Sequence, residues 1–333
     1  MDSNRTAGQL RIGVISTAKI GTQKVIPGTQ ASGRCSVDAI SSRSLDAAVA
    51  AAGQLGIAKA YGSYEALLAD PDIDAVYNPL PNHMHTEWNL AAIRAGKHVL
   101  AEKPFGMNAS EAETVFAEAD RHSVKVVEAF MYRSHPTWRE VKRIVGEGVI
   151  GELRHVQTFF GYRNDDATNI RNIAEYGGGA LMDVGCYGIN SAMYLFGTQP
   201  ELIGSTIDRH PTFATDTVTS ALLRFPNGTA SLTCATAIEH GQWVHILGSN
   251  GRIEIGIPFN IPLDRPTFVH VAHGGRPPEE PNIRTIEFAT CNQYTTQADA
   301  FAAHVLDGVA PTLTATDSIG TMRIIDQIFA TAR

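Results

Sequence analysis

The sequence predicts an α/β fold in which a doubly wound parallel sheet is followed by an α+β domain built on a large, mostly antiparallel open sheet. Apolar runs alternate with helix-favouring stretches through the first ~130 residues, a pattern typical of a parallel sheet with crossover helices. Beyond residue 200, strand-like runs follow one another with turn residues between them. At ~150 residues per domain, 333 residues suggest two domains. We place them at 10–130 and 131–333, with the last helix free to pack back on the first domain.

Five strands are expected in the first domain, because each is a short apolar run bounded by polar or turn residues. They are Arg11–Ser16, Ser36–Ser41, Asp74–Tyr77, His98–Ala101 and Lys125–Glu128. Helices are expected between them at Leu45–Leu55, Tyr64–Leu68, Thr86–Ala95 and Ser110–His122. Gly96 directly follows the third of these helices and is a typical helix stop.

The second domain begins with a helix over Trp138–Gly146 and a strand over Leu153–Phe160. Gly177-Gly-Gly-Ala180 then opens a helix that runs to Phe196. Later strands are joined by hairpins such as Pro226-Asn-Gly228, where Asn-Gly tolerates positive φ angles. We expect the Pro-rich stretch 258–281 to be an exposed excursion and helices near Gln293–Leu306 and Thr316–Ala332 to end the fold.

Composition limits the classes of partner. The net charge is −7 and the pI is about 5.9, which argues against nucleic-acid binding, since that requires a basic face. No apolar run approaches ~18 residues, so we expect no membrane span. The four cysteines are isolated from one another without CxxC spacing, and a reducing cytoplasm is the expected compartment.

The turn after the first strand is a candidate dinucleotide site of the Rossmann type, in which glycines let the backbone approach a pyrophosphate. The three glycine positions of that motif hold Ser16, Ala18 and Gly21 here. Serine and alanine are small enough for close approach, and Gly21 would permit tight packing of helix on strand. We therefore expect the cofactor to contact Ser16, Thr17, Ala18, Lys19 and Ile20.

The end of the second strand indicates which dinucleotide is bound. NAD-binding proteins place an acidic residue there for the ribose 2′-hydroxyl. This chain has Ser41-Ser42-Arg43-Ser44 and no carboxylate. Arg43 can pair with a 2′-phosphate, and Ser42 can add a hydrogen bond. The pattern favours NADP over NAD.

Three segments carry a resemblance to a known family: Tyr77-Asn-Pro-Leu-Pro-Asn-His-Met-His85, Ala95-Gly-Lys-His-Val-Leu-Ala-Glu-Lys-Pro104, and the run that opens with Gly177-Gly-Gly-Ala-Leu-Met-Asp and ends at Gly188. The chain resembles the Gfo/Idh/MocA oxidoreductases over residues 10 to 330. It is most similar to the branch of NADP-dependent D-xylose dehydrogenases, dimeric dihydrodiol dehydrogenases and glucose–fructose oxidoreductase.

The resemblance implies an NADP-binding Rossmann domain and a second domain whose open sheet forms a homodimer or a dimer of dimers. It also implies which residues line the nicotinamide end of the cofactor, namely Leu80, Asn82, His85, Glu102 and Lys103. The Asp-x-x-x-His of the family's catalytic helix is kept in spacing as Asp183 and Tyr187, with tyrosine in place of histidine.

The expected reaction is oxidation of a pyranose aldose, such as D-xylose or D-glucose, at C1 to the lactone. Tyr187 is assigned as proton acceptor, and the ammonium of Lys103 would lower its ordinary pKa of ~10. The roles of Tyr187 and Lys103 can be exchanged. Asp183 lies one helical turn before Tyr187 and would orient Lys103 or hold a sugar hydroxyl.

Other groups are expected to bind the sugar, because they flank the matched segments: Arg133, Phe160, Tyr162, Asn169 and Arg171. No metal is expected, since His83 and His85 lack carboxylate or cysteine companions. Three other functions stay open: an aldose–aldose or glucose–fructose type oxidoreductase with tightly bound NADP, a trans-dihydrodiol dehydrogenase, and a non-catalytic NADP-binding regulator.

Overall fold

The computed structural model describes residues 8–274 and 282–331, and these divide into two compact units. Of the described residues, the first unit comprises 8–106, 110–134 and 292–315, and the second comprises 107–109, 135–274, 282–291 and 316–331. The boundary was expected at residue 130; in the structure the chain enters the second unit briefly at 107–109 and again at His135. The expected domains did not include the return of 292–315 to the first unit.

A six-stranded parallel sheet forms the centre of the first unit, in the order β3-β2-β1-β4-β5-β6. Its interior strands are largely buried; all four residues of Ala75–Asn78, for example, are buried. The strands are β1 (Leu10–Ile15), β2 (Cys35–Ser41), β3 (Lys59–Tyr61), β4 (Ala75–Asn78), β5 (His98–Ala101) and β6 (Val126–Glu128). Strand β3 was not predicted, because three half-buried residues at a sheet edge give no recognisable periodicity.

Helices follow the strands of this unit nearly where the sequence places them. They are α1 (Ile26–Gln30, preceded by a π-helical turn at Gly21–Val25), α2 (Leu45–Leu55), α3 (Tyr64–Leu68), α4 (His85–Arg94), α5 (Ala109–His122) and, from the distant segment, α8 (Gln293–Asp307). Helix α8 belongs to the first unit because it forms hydrogen bonds with α1 and β2. The Cys35 thiol donates to the Ala298 carbonyl at 3.4 Å, and the Thr295 hydroxyl donates to the Gly28 carbonyl at 2.8 Å.

An eight-stranded sheet forms the second unit, in the order β14-β13-β12-β11-β7-β10-β9-β8. Neighbouring strands are antiparallel except β7 and β10, which run parallel. The strands are β7 (Leu153–Arg163), β8 (Glu201–Arg209), β9 (Asp216–Phe225), β10 (Gly228–Ala235), β11 (Ala237–Gly248), β12 (Gly251–Ile255), β13 (Thr267–His273) and β14 (Asn282–Phe288). Its helices are α6 (Pro136–Gly146), α7 (Cys186–Phe196, preceded by a π-helical turn at Leu181–Gly185) and α9 (Ala315–Thr331).

The hairpin between β9 and β10 forms as expected, but the reason for its glycine differs. Gly228 does not adopt a positive φ. A Cβ atom there would lie 2.4 Å from the carbonyl oxygen of Arg154, so the glycine is needed for close approach of the neighbouring backbone.

Part of the Pro-rich stretch was wrongly expected to be exposed. Phe259 and Ile261 are 0% and 3% exposed, so this segment buries apolar side chains in the second unit. Residues 275–281 of the stretch lie outside the described residues. Across the described ranges, no helix is both long and apolar enough to cross a bilayer.

Candidate active site

The predicted site residues fall into one group per unit. The first unit holds those expected to contact the cofactor together with one substrate candidate: Ser16, Thr17, Ala18, Lys19, Ile20, Ser42, Arg43, Leu80, Asn82, His85, Glu102, Lys103 and Arg133. The second unit holds Phe160, Tyr162, Asn169, Arg171, Asp183 and Tyr187. Except for Arg133, which follows β6, the first group follows the carboxyl ends of β1, β2, β4 and β5, the edge at which doubly wound sheets bind ligands.

The turn after β1 has the backbone shape that the glycine motif requires, although its first position is serine. Ser16 adopts φ = 77°, a left-handed conformation that side chains rarely take and that costs of order 1 kcal/mol or more. Its hydroxyl oxygen accepts a hydrogen bond from the Ala18 N–H at 3.3 Å and so stabilises the turn. At Gly21 a Cβ atom would lie 3.6 Å from Tyr77 and Pro79, an ordinary contact, so the expected need for tight packing there is not met.

Arg43 lies just past the end of β2, beside the hydroxyl of Tyr64. Burial raises the pKa of the Tyr64 phenol, and the charge of Arg43 opposes that rise. The Ser42 N–H donates to the Tyr61 carbonyl at 3.0 Å, which fixes the backbone before Arg43. Arg43 is exposed to solvent.

The end of β5 anchors Glu102 and places Lys103 next to it. The Tyr77 hydroxyl donates to Glu102 Oε1 at 2.6 Å, and the Lys103 N–H donates to Glu102 Oε2 at 3.2 Å. Burial raises the pKa of Tyr294 to about 12; Glu102 adds to that rise and Lys103 opposes it. Tyr294, on α8, was missed because no local pattern indicates that α8 joins this unit.

The side chain of His85 lies between the two turns that carry Leu80 and Lys103. It is 0% exposed, and its Nε2 and Nδ1 lie 2.6 Å and 2.9 Å from the carbonyl oxygens of Leu80 and Pro104. Burial lowers the pKa of His85 from 6.5 to about 4, so the ring is neutral at pH 7. Both ring nitrogens thus lie against protein carbonyls.

In the second unit, hydrogen bonds to one carboxylate oxygen of Asp183 connect it with two other predicted residues, Tyr162 and Arg171. The Tyr162 hydroxyl donates to Asp183 Oδ2 at 2.5 Å, and Arg171 Nε donates to the same oxygen at 2.8 Å. The Asp183 charge raises the pKa of Arg171 above its ordinary value, with Tyr162 and Tyr187 contributing. Asp183 was expected to orient Lys103 or hold a sugar hydroxyl; within this unit its Oδ2 already accepts two hydrogen bonds.

Tyr187 lies in a cluster of aromatic rings. Its ring centroid is 5.0 Å from that of Phe259 and 5.6 Å from that of Phe160, and Phe259 also stacks on Trp138 at 6.0 Å. Phe160 was expected to offer a stacking face to the sugar, but it is 4% exposed and packs against Tyr187 and Phe259. Phe259 was missed because it lies in the segment expected to be exposed. The alternation of apolar and polar residues at 259–261 was the available signal.

Gln242 holds Phe259 in this position. Its side-chain oxygen accepts from the N–H groups of Phe259 and Asn260 at 2.9 Å and 3.0 Å. Asn169, a predicted sugar ligand, has a local structural contact: its side-chain oxygen accepts from the Arg171 N–H at 3.0 Å and caps a short 3₁₀ turn. Arg133, in the first unit, is only 3% exposed. Within 8–274 and 282–331, no group of three His, Cys, Asp or Glu residues could hold a metal ion.

Two family models match the chain and together cover most of it. Residues 10–130 match the model of an oxidoreductase family with an NAD-binding Rossmann fold, and residues 138–254 match that of the GFO/IDH/MocA C-terminal domain.

Named relatives are dehydrogenases and reductases. The chain is 36% identical to the NADP⁺-dependent D-xylose 1-dehydrogenase 2 of Haloferax volcanii, covering 97% of each chain. It is 33% identical to the trans-1,2-dihydrobenzene-1,2-diol dehydrogenase of Mus musculus, covering 74% of each. Among solved structures, it superposes with a TM-score of 0.90 on KijD10, a 3-ketoreductase from Actinomadura kijaniata in complex with NADP and TDP-benzene, at 33% identity and 98% coverage of both chains.

Replacement of His85 is expected to make the free energy of unfolding depend less on pH between pH 6.5 and pH 4. The folded-state pKa of about 4 lies below the ordinary 6.5, so the unfolded chain binds a proton that the folded chain does not. The stability that the neutral ring contributes is complete above pH 6.5 and is lost as the pH falls towards 4, a loss of about 3 kcal/mol. In His85→Asn this loss disappears from the free energy of unfolding, measured by urea titration between pH 7 and pH 4.

The matched control is His240→Asn, which replaces an exposed histidine. Its pH dependence should follow that of the wild type. If the His85→Asn and wild-type chains lose stability in parallel between pH 6.5 and 4, the ring does not titrate as described.

Proposed function

This chain belongs to the GFO/IDH/MocA family of oxidoreductases, and we propose from that premise that it oxidises the C1 hydroxyl of an unphosphorylated pyranose aldose to the lactone, with NADP as hydride acceptor. The observation that carries the choice of substrate is the Asp183–Arg171 ion pair. D-xylose and D-glucose are the sugars to test first.

The first unit fits NADP at two places on one sheet edge. The left-handed turn at Ser16 follows β1, where a pyrophosphate needs close approach of the backbone. Arg43 follows β2, where a 2′-phosphate needs a cation and where an NAD-binding chain has a carboxylate. We therefore assign the pyrophosphate to Ser16–Ile20 and the 2′-phosphate to Arg43 and Ser42.

When bound, the nicotinamide supplies the hydride chemistry; the chain's own residues handle the proton and the sugar. We assign Tyr187 as the group that takes the hydroxyl proton and Lys103 as the cation that favours its phenolate. Glu102 fixes the backbone N–H of Lys103. Phe160 and Phe259 surround the Tyr187 ring, so its orientation is set by packing.

Charge in the second unit favours a neutral sugar. The last residue of β7, Arg163, is paired with Asp165 at 2.7 Å, and Arg171 in the following segment is paired with Asp183 at 2.8 Å. A phosphate or pyrophosphate group on the substrate would have to compete with these carboxylates. The hydroxyl groups of a neutral sugar instead need a mixture of donors and acceptors, which Tyr162, Arg171 and Asp183 provide.

Reduction of a nucleotide-linked keto sugar is the second candidate, since a 3-ketoreductase superposes on the whole chain. An aldose–aldose oxidoreductase would keep NADP bound through both half-reactions, whereas a dehydrogenase exchanges it. A trans-dihydrodiol dehydrogenase would act on a more apolar substrate, and a regulator would bind NADP without turnover. The substrate panel below separates these functions.

We assign homodimer formation, or a dimer of dimers, to the face of the eight-stranded sheet that carries Phe159 and Trp243. Their rings stack at 5.9 Å, and Trp243 also stacks on His245 at 4.7 Å. Leu222 and Phe268 are 42% and 48% exposed. An apolar face of this kind is suited to a second copy of the chain.

We also propose a cytoplasmic location. All four cysteines are free thiols, and three of them are buried. Free thiols are maintained in a reducing compartment.

Aldose oxidation is tested by mixing the protein with NADP⁺ and a panel of aldoses, dihydrodiols and, in the reverse direction, nucleotide-linked keto sugars. Formation of NADPH at 340 nm with a neutral aldose, and lactone as product, is expected. Tyr187→Phe and Lys103→Ala should each lower kcat/KM on the order of a thousand-fold, because each removes a group assigned to proton transfer.

Two variants serve as matched controls for that experiment. Tyr194→Phe removes a phenol from the same helix, and Lys125→Ala removes an exposed lysine of the first unit. Both should keep nearly wild-type rates. Full activity of Tyr187→Phe, or turnover confined to nucleotide-linked sugars, would refute the assignment.

Arg43→Ala should weaken NADP binding about 10- to 100-fold and leave NAD binding nearly unchanged, because a charge-assisted bond to a 2′-phosphate is worth ~1.5–3 kcal/mol. Dissociation constants for both cofactors are measured by fluorescence titration. Arg121→Ala, an exposed arginine paired with Glu118, is the control. Equal losses for NADP and NAD would contradict the role of Arg43.

Light scattering should give a mass at least twice 35.8 kDa. Trp243→Glu places a charge on the sheet face and should lower that mass, whereas Val149→Glu, at an exposed residue in the turn after α6, should not. A wild-type chain that is monomeric at micromolar concentration rules out the proposed interface.

A further inference from the structure

The helix that carries Tyr187 has no capping side chain from its own segment. Its first turn, Leu181–Gly185, contains Asp183, and the preceding Ala180 makes no side-chain hydrogen bond. The first N–H groups of any helix lack partners within the helix and need acceptors from elsewhere. The sequence before the turn is Gly177-Gly-Gly-Ala180, which has no polar side chain.

Asp216 supplies the missing acceptor from a different element, the first residue of β9. Its Oδ2 accepts the Leu181 N–H at 2.7 Å and the Thr219 hydroxyl at 2.8 Å. The carboxyl group is almost fully buried, with 1% of the residue exposed. Burial raises the pKa of Asp216, while both hydrogen bonds oppose the rise. A carboxylate is also favoured at the positive end of a helix.

Gly179 links this carboxyl group to the site. It adopts φ = 115°, and a Cβ atom there would lie only 1.9 Å from Asp216 Oδ1, so no other residue fits. Its carbonyl accepts the Asp183 N–H at 3.1 Å, and its own N–H donates to the Arg171 carbonyl at 2.8 Å. One glycine therefore connects Asp216 to both members of the Asp183–Arg171 ion pair.

The neighbouring Gly178 completes the arrangement. A Cβ atom there would lie 2.5 Å from the carbonyl oxygen of Arg171. The two glycines thus allow the Arg171 backbone to approach from one side and the Asp216 carboxyl group from the other. The glycines at 178 and 179 are therefore explained by these two close approaches, without a phosphate-binding turn of the kind proposed after β1.

We propose that Asp216 is a positioning residue for the reaction: by binding Leu181 and packing on Gly179, it fixes the first turn of the helix and with it Asp183 and Tyr187. Asp216 does not itself handle the substrate. The inference rests on the proposed function in one respect: that Asp183 and Tyr187 take part in the oxidation of the sugar. The positioning itself is a property of the second unit.

The experiment compares Asp216→Ala, Asp216→Asn and the control Asp208→Asn, which alters an exposed residue of β8. Asp216→Ala should lower kcat about 10- to 100-fold, with the KM for NADP unchanged and with amide hydrogen exchange at 181–183 accelerated at least tenfold. Asp216→Asn keeps an acceptor oxygen and should restore most of both. Asp208→Asn should match the wild type.

A second variant covers the case in which Asp216→Ala does not fold. Thr219→Val removes only one hydrogen bond to the same oxygen, and it should give about threefold effects on kcat and on exchange at 181–183. Unchanged exchange at these amides in the folded variants overturns the proposal, as does accelerated exchange with wild-type kcat. If the wild-type chain oxidises no aldose, the proposed function fails, whereas the exchange data still decide whether Asp216 holds the helix.

Discussion

The second unit depends on the neutralisation of one carboxylate. Asp183 Oδ2 accepts hydrogen bonds from Tyr162, near the end of β7, and from Arg171, in the 3₁₀ turn that follows. An isolated carboxylate at 14% side-chain exposure would be costly, whereas the Arg171 side chain is 43% exposed and reaches it from the solvent side. Because the charges of Asp183 and Arg171 compensate each other, the helix that bears Tyr187 carries polar side chains with no net charge beside them. The glycine run keeps that ion pair in place, because the N–H and the carbonyl of Gly179 are hydrogen-bonded to the backbones of Arg171 and Asp183.

The first unit depends on topology more than on any single contact. In a parallel sheet of order β3-β2-β1-β4-β5-β6, the chain leaves β1 and β4 in opposite directions, and a crevice opens at their carboxyl ends. The turns that follow β1, β2, β4 and β5 all lie at that edge. The buried His85 ring lies between two of these turns, with one ring nitrogen against the Leu80 carbonyl and the other against the Pro104 carbonyl; the neutral ring donates a hydrogen bond to one of them.

Much of the fold could be predicted from the sequence, because strand–helix alternation and apolar periodicity are local patterns. The position of Arg43 after β2 and the four-residue spacing of Asp183 and Tyr187 were likewise local. Features set by distant segments could not be predicted: α8 joins the first unit across more than 150 residues, and Asp216 approaches Gly179 from another strand. Phe259 was missed because prolines around it suggested exposure, whereas its burial follows from Gln242, seventeen residues earlier.

The attachment of the segment around Phe259 has a consequence for how this scaffold diversifies. One amide side chain on β11 holds the backbone of a proline-flanked loop, and that loop supplies a ring in contact with Tyr187. The loop lies outside the strand ladder, so its length and composition can change without altering any register. Substitutions there would therefore reshape the surroundings of the Tyr187 phenol while the strand register stays intact.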